Sequence, residues 1–200
     1  MLQTTNERLY ADYVIEHIQN VAFAFYNFLN NNSIYKLLEP FTNKIDFNNI
    51  ERRIILHDRS KWAVEEFNAY RQYFYPEVNE SKNESIFNEA WIHHFSINDH
   101  HPEYWIIEYN HHLDEIINEN FSNLQSYDMS IEAIIEMFAD WLAMSLKLKT
   151  SLIEWYNKEG YKYPYSDRTR KLIDVLILPL EDKLIDELAK RKYLEQELSK

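Results

Sequence analysis

Apolar residues recur at helical spacing along most of the chain. The first long run places Tyr10, Val14 and Val21 on one side of a helix, because residues four or seven apart share a helix face. Thr4, with an acidic residue three positions later, forms a capping box that predicts where this helix begins. The Asn-rich stretch that starts at residue 30 predicts its end.

Further helices are predicted wherever this spacing returns after a start signal. A capping residue or a first-turn proline precedes each of them: Asn48, Ser60, Ser81, Pro102 and Ser130. The predicted helices cover residues 48–58, 61–75, 82–94, 103–118 and 131–148, and a last one starts at residue 166 or 167. Pro179 lies inside that last helix and is expected to kink or divide it. The stretch around Pro40 is predicted to be irregular.

Composition favours one helical domain. The chain has 200 residues, enough for a substantial core, and a single glycine, Gly160. Walker and Rossmann phosphate loops need several glycines at fixed spacing, so they are excluded, and sheet-rich folds with glycine-containing tight turns are disfavoured. We therefore predict an all-α single-domain helical bundle over residues 1–200, in which residues 166–200 form a C-terminal helical extension.

Charge and cysteine content narrow the function classes. The net charge of −12 argues against a nucleic acid polymer as partner, because such contacts need clustered Lys and Arg. With no cysteine, disulfides and zinc–thiolate sites are excluded. The N-terminus lacks the features of a signal peptide, and no apolar run reaches the roughly 18–20 residues that span a bilayer. The expectation is a cytoplasmic protein with no membrane partner, and the charged last helix leaves a homodimer open.

The candidate chemistry centres on His57-Asp58-Arg59-Ser60-Lys61. An adjacent imidazole and carboxylate suit Zn, Mn or Fe. Other histidines and acids fall on different predicted helices, so they can converge only inside a bundle, where helical proteins build metal sites. The predicted metal ligands in chain order are His17, His57, Asp58, His94, His101 (or His100) and Asp140.

Each of these residues also has a structural interpretation. An isolated His17 is more often a hydrogen-bonded core histidine, and Glu136 and Asp140, one turn apart in an apolar helix, can pair with Arg or Lys. Tandem histidines are usually half exposed, so His93, His111 and His112 are predicted to be either solvated or in contact with the ligands without being ligands themselves. The large aromatic residues are interpreted as core: Trp91, Tyr104, Trp105, Trp141, Trp155 and Tyr156.

The ligand order resembles that of the HD-domain superfamily of metal-dependent phosphohydrolases. His57-Asp58-Arg59-Ser60-Lys61 is similar to the His-Asp-x-Gly-Lys signature of the cyclic-dinucleotide phosphodiesterase branch, with Ser60 where the signature has glycine. His100-His101-Pro102-Glu103 resembles its tandem-histidine motif but lacks the Gly-Tyr-Pro continuation. The resemblance implies an HD-domain-like fold, one or two divalent ions (Mn, Mg, Fe, Ni or Zn), and Lys61 contacting phosphate or the attacking hydroxide.

A second resemblance covers most of the chain. An uncharacterised family of phages and bacteria, DUF5662, shows similar runs, and membership implies the fold and the site rather than a reaction. The matching runs are His57-Asp58-x-Ser60-Lys61, Glu66-Phe67 with Tyr70, Ala90-Trp91-x-x-His94, Asn98-x-His100-His101-x-Glu103-Tyr104-Trp105, Glu136-Met137-x-x-Asp140-Trp141, Trp155-Tyr156 and Thr169-Arg170.

These features predict a phosphohydrolase that acts on a small nucleotide or another phosphate ester through metal-activated water. Arg59 would meet an outer phosphate, Glu66 would orient a ligand histidine, and His100 or Glu103 would supply a general acid. Two alternatives stay open. One is a di-iron oxygenase with the same ligand order, and the other is a non-catalytic helical protein that binds phage or host components and has a structural metal site.

Overall fold

Two long amphipathic helices, α1 (Thr5–Ala24) and α7 (Ile131–Leu148), pack along each other at the centre of the molecule. The structure, a computed structural model, describes residues 4–198, so residues 1–3 and 199–200 of the predicted domain lie outside it. The chain is all-helical over the described residues. Its other α-helices are α2 (Asn32–Leu38), α3 (Phe47–Ile55), α4 (Phe67–Phe74), α5 (Glu84–Ile97), α6 (Leu113–Ile117), α8 (Leu152–Lys158) and α9 (Asp167–Leu198).

The main core lies around α7, because this helix is apolar on nearly every side. Ile134, Phe138 and Leu142 are fully buried there against α1, α3 and α9. Burial of each such side chain contributes about 1.5–3 kcal/mol relative to leaving it exposed. The first half of α9 supplies Leu172 and Leu176 to the same core. The segment predicted as a C-terminal extension therefore forms part of the core before it becomes exposed.

The strongest start signals are confirmed. The Thr4 hydroxyl accepts the Glu7 backbone N–H while the Glu7 carboxylate accepts that of Thr4, so the capping box is complete. Ser130 caps α7 through the Ala133 N–H. The predicted start of α9 is also confirmed, but that helix runs through Pro179 without being divided.

Two of the predicted capping residues are wrong, and so is the prediction of an irregular segment around Pro40. Asp46 rather than Asn48 caps α3, and Asn83 rather than Ser81 caps α5. The segment around Pro40, predicted to be irregular, contains α2 and a 3₁₀ turn at Glu39–Phe41. Several Asn, Asp and Ser residues lie close together at these starts, and each is a good capping residue, so local sequence does not distinguish them.

Two predicted long helices are each shortened to a short α-helix preceded by turns. The first of these predicted helices, 61–75, begins instead with a 3₁₀ turn at Arg59–Trp62 and a non-helical link, and only then does α4 follow. The second, 103–118, begins with two 3₁₀ turns, Pro102–Trp105 and Tyr109–His111, and α6 follows them. Ser60 is not a cap, because its hydroxyl donates to the buried Glu66. No helix within residues 4–198 is long and apolar enough to cross a membrane.

Candidate metal centre

Asp58 occupies the middle of a buried polar cluster. It follows α3 with a left-handed backbone (φ 54°), a conformation that Asp tolerates better than most residues. This turn directs its side chain into the interior, where only 2% of it is exposed. Burial would raise the pKa of this carboxyl, but the neighbouring charges of His57, Lys61 and His94 hold it well below its usual range.

The two oxygens of Asp58 face two different groups of histidines. Oδ2 lies 3.5 Å from both His17 Nε2 and His57 Nε2. Oδ1 lies 3.3 Å from His94 Nε2 and 3.6 Å from His100 Nε2. Asp58 therefore stands between two sets of nitrogen donors.

The first group joins α1, the end of α3 and α7. His17 Nε2 is 3.2 Å from Asp140 Oδ1 and 3.3 Å from His57 Nε2. Burial alone would lower the pKa of His17, but hydrogen bonds to Asp140 and Asp58 outweigh it and raise that pKa to about 9. The carboxylates thus favour a positive charge at this point.

The second group joins α5 to the loop that follows it. His94 Nε2 and His101 Nε2 are 2.9 Å apart, and Asp58, His94, His100 and His101 together form one set of donors that could hold an ion. Burial, with His100 and His94 nearby, lowers the pKa of His101 well below its usual range. A neutral ring is the form that binds a metal.

Glu136 contacts one histidine of each group, in both cases at the ring nitrogen that faces away from Asp58. Its Oε1 lies 2.9 Å from His57 Nδ1 and 3.3 Å from His100 Nδ1. Its Oε2 forms an ion pair with Arg53, whose Nε lies 2.8 Å away, and the same guanidinium pairs with Asp99. Burial would raise the pKa of Glu136, but these histidines lower it to about 2, so the carboxylate stays charged.

Glu66 has the same role for His94. Its Oε2 lies 2.8 Å from His94 Nδ1, and its Oε1 lies 2.8 Å from the partly exposed His93. The Ser60 hydroxyl donates to Glu66 at 3.0 Å, and Asn98 Nδ2 donates to that hydroxyl at 2.8 Å. Glu66 is fully buried, and these contacts lower its pKa despite the burial, which acts in the opposite direction.

The arrangement fits a bound cation. A carboxylate beside Nδ1 accepts its proton, so the Nε2 lone pairs of His57, His94 and His100 face the centre. Asp58 Oδ1 and His100 Nε2 are buried and lack a hydrogen-bond partner among the described residues. Ligands about 2.0–2.2 Å from a metal lie roughly 3.0–3.5 Å from one another, which matches most of the spacings above.

The remaining predicted residues lie at different distances from the centre. Lys61 Nζ is 2.6 Å from Asp58 Oδ2; burial would lower its pKa, but that ion pair raises it. Arg59 is exposed on the 3₁₀ turn and contributes to none of the groups. Glu103 is buried outside the groups, and burial raises its pKa to about 7 although the Tyr163 hydroxyl acts the other way.

A cavity of about 290 Å³ opens beside the cluster. His100, His101 and Asp140 line it, so it reaches both groups. Among its other lining residues are Trp91, Trp141 and Trp155, all interpreted from the sequence as core. Trp141 does pack in the main core, but one side of it also forms the cavity wall.

The structure brings together most of the predicted site. The predicted ligands all lie in the two groups; His100, predicted as a general acid or as an alternative ligand, joins them, and Glu66 contacts His94. Sequence reasoning missed Arg53 and Asn98. An Arg in the last turn of the helix before His57 is a weak signal, because basic residues are common at helix ends.

Fold and site together define an all-helical protein with a buried histidine and carboxylate cluster whose donor atoms lie within metal-binding distance of each other. The model of a family of unknown function, DUF5662, matches residues 6–178, and the chain belongs to this family. The expected family membership is therefore confirmed. Comparison with curated proteins and with solved structures gave no match.

Proposed function

We propose that the protein is a metal-dependent phosphohydrolase of the HD-domain type that acts on a small phosphate ester. The observation that carries this proposal is the position of Asp58, with one oxygen toward each donor group and a cavity that reaches both. Asp58 could therefore contribute to holding an ion on each side, and two bound ions would stabilise the attacking and leaving oxygens of a phosphoryl group.

The donors divide naturally between two ions. His17, His57, Asp140 and Asp58 Oδ2 would hold one, and the other would be held by His94, His100, His101 and Asp58 Oδ1. Bound divalent ions would lower the pKa of a water molecule and neutralise charge on the phosphoryl oxygens. Nitrogen and carboxylate donors without thiolate suit Mn, Fe, Ni or Zn better than Mg.

The chain's own residues orient these donors. Glu136 and Glu66 fix the ring positions of His57, His100 and His94 through Nδ1, and Arg53 forms an ion pair with the second oxygen of Glu136. Lys61 does not line the cavity, but an ammonium has three N–H donors, so Lys61 could hold Asp58 and still offer an N–H to a phosphoryl oxygen held between the two groups. Arg59 is exposed, so the predicted contact to an outer phosphate has no support from its position.

A second function, oxidation of a C–H bond by dioxygen at a di-iron pair, is favoured by one observation. The described residues that line the cavity include no Lys or Arg that would attract a phosphate. Purification without oxygen followed by EPR spectroscopy separates the two. A coupled di-iron signal that changes on exposure to oxygen and substrate would favour oxidation, and a fully active Mn-loaded protein without such a signal would exclude it.

The direct test of the hydrolase is elemental analysis of untreated protein, followed by phosphate release from a panel of esters after adding Mn, Mg, Ni or Fe. His57→Ala should lose metal and turnover, whereas His111→Ala, an exposed histidine outside the groups, should retain both. Protein that binds no divalent ion and releases no phosphate would overturn the proposal. Metal that stabilises the fold without any turnover would assign a structural site instead.

A further inference from the structure

The cavity beside the metal centre has walls of a distinctive kind. Apart from His100, His101 and Asp140, it is lined mainly by aromatic and apolar side chains, among them Trp91, Trp141, Met144, Leu148, Trp155 and Tyr163. The polar side chains that remain, Ser145 and Thr150, are uncharged. At about 290 Å³ the cavity is at the lower end of the roughly 300–1,000 Å³ range of small-molecule sites. The part of the cavity away from His100, His101 and Asp140 therefore suits one compact, uncharged group.

Trp155 is a wall residue held between Trp141 and Gly160. Its ring centroid lies 4.8 Å from that of Trp141. It also contacts the backbone of Gly160: a Cβ placed there would lie 3.0 Å from Trp155 Cζ3 and 2.7 Å from Tyr156 Cδ2. The only glycine of the sequence thus allows the close approach that holds this ring at the cavity.

We infer that this cavity binds the organic group to which the phosphoryl group of the substrate is esterified. We further infer that this organic group is a flat aromatic ring without charge. This inference rests on the proposed hydrolase function. The phosphoryl group would lie at the His100, His101 and Asp140 end, and the aromatic ring would contact Trp141 and Trp155. Contact between flat rings is favourable, and an aromatic side chain that stacks on a ligand ring commonly strengthens binding by about tenfold.

Binding and turnover are measured separately to test this assignment. Phenylphosphonate and methylphosphonate, which cannot be hydrolysed, are titrated into Mn-loaded protein, and phenyl phosphate is compared with glycerol 2-phosphate for turnover. We expect phenylphosphonate to bind about tenfold or more tightly than methylphosphonate. Trp155→Ala should abolish that difference and leave methylphosphonate binding unchanged. Tyr127→Ala, an exposed aromatic residue outside the cavity, should change neither.

The outcomes keep the two proposals apart. If phenylphosphonate binds tightly in a Trp155-dependent way but no ester is hydrolysed, the cavity assignment stands and the hydrolase fails. If both esters are hydrolysed at similar kcat/KM and Trp155→Ala affects neither preferentially, the hydrolase stands and the cavity assignment is overturned. Equal affinity for the two phosphonates overturns the cavity assignment whatever the turnover.

Discussion

Asp58→Asn is the substitution that tests the metal centre most sharply. Asn tolerates the left-handed backbone that Asp58 adopts, so the turn is preserved while the charge is removed. Each donor group loses its shared anionic oxygen at once. Asp140→Asn is the matched control, because Asp140 belongs to the first group only.

The expected loss of metal affinity in Asp58→Asn can be worked out from its contacts. Removing a residue that only orients a metal ligand usually weakens metal binding by about 10–100-fold, so losing a direct donor should cost at least about 100-fold, or roughly 2.7 kcal/mol. The substitution also leaves the buried Lys61 ammonium without the carboxylate 2.6 Å away. Breaking a buried pair in this way destabilises by about 3–5 kcal/mol, so urea denaturation in chelator must accompany the metal measurement.

Equilibrium dialysis against Mn or Zn with elemental analysis is the assay. We expect two equivalents for the wild-type protein, weak binding of both in Asp58→Asn, and loss of one in Asp140→Asn. Folded Asp58→Asn protein that binds two equivalents with unchanged affinity would refute the bridging role. Loss of only one equivalent in Asp58→Asn would show that its two oxygens do not serve two ions.

Glu136→Gln should weaken binding of both ions by about 10–100-fold in the same dialysis, because one carboxylate orients a histidine of each group; an effect on one ion alone would contradict this. Phe138→Ala should lower the free energy of unfolding by about 3–5 kcal/mol in urea, while Ile185→Ala, an exposed position, should change it by less than about 0.5 kcal/mol. Hydrogen bonds from Arg71 lower the pKa of Glu80 from 4.5 to about 2. The contribution of the Arg71–Glu80 pair to stability is therefore complete above pH 4.5 and is lost as the pH falls through 2. The difference in Tm between wild-type and Glu80→Gln proteins should be largest near neutrality and vanish near pH 2. A difference independent of pH would refute the pairing.

The parts of the fold that sequence predicts best are those with a complete local signal. Around α7, the Ser130 cap and the apolar spacing agree, so both helix ends are predicted correctly. Residues 103–118 have helical spacing too, yet they form turns. There, the backbone N–H of Ile107 donates to Gln125 and that of Tyr127 donates to the Trp105 carbonyl, contacts between distant residues that periodicity cannot reveal.

The candidate site shows the same division. The ligand order is visible because each predicted ligand is itself a chemically distinctive residue. The choice between His100 and His101 cannot be made from the sequence, because the loop after α5 turns both rings toward His94 and Asp58. Arg53 was missed for a related reason: its importance comes from Glu136, 83 positions later, and from Asp99, and neither contact has a local pattern.

The outer contacts of the cluster explain why its inner face favours a cation. Burying a carboxylate is costly unless each oxygen is paired. Glu136 and Glu66 meet this requirement with histidine Nδ1 groups, Arg53 and Ser60, whereas Asp58 Oδ1 has no hydrogen-bond donor among the described residues. The folded chain therefore leaves one buried carboxylate oxygen, Asp58 Oδ1, without a hydrogen-bond donor among the described residues, and a bound cation would neutralise its charge. In the proposed function, the choice of substrate would depend on a different part of the molecule, the walls of the cavity rather than the donors. Identifying the metal alone would thus leave hydrolysis and oxidation unresolved, and the decisive measurement is which compound the Trp155 cavity binds.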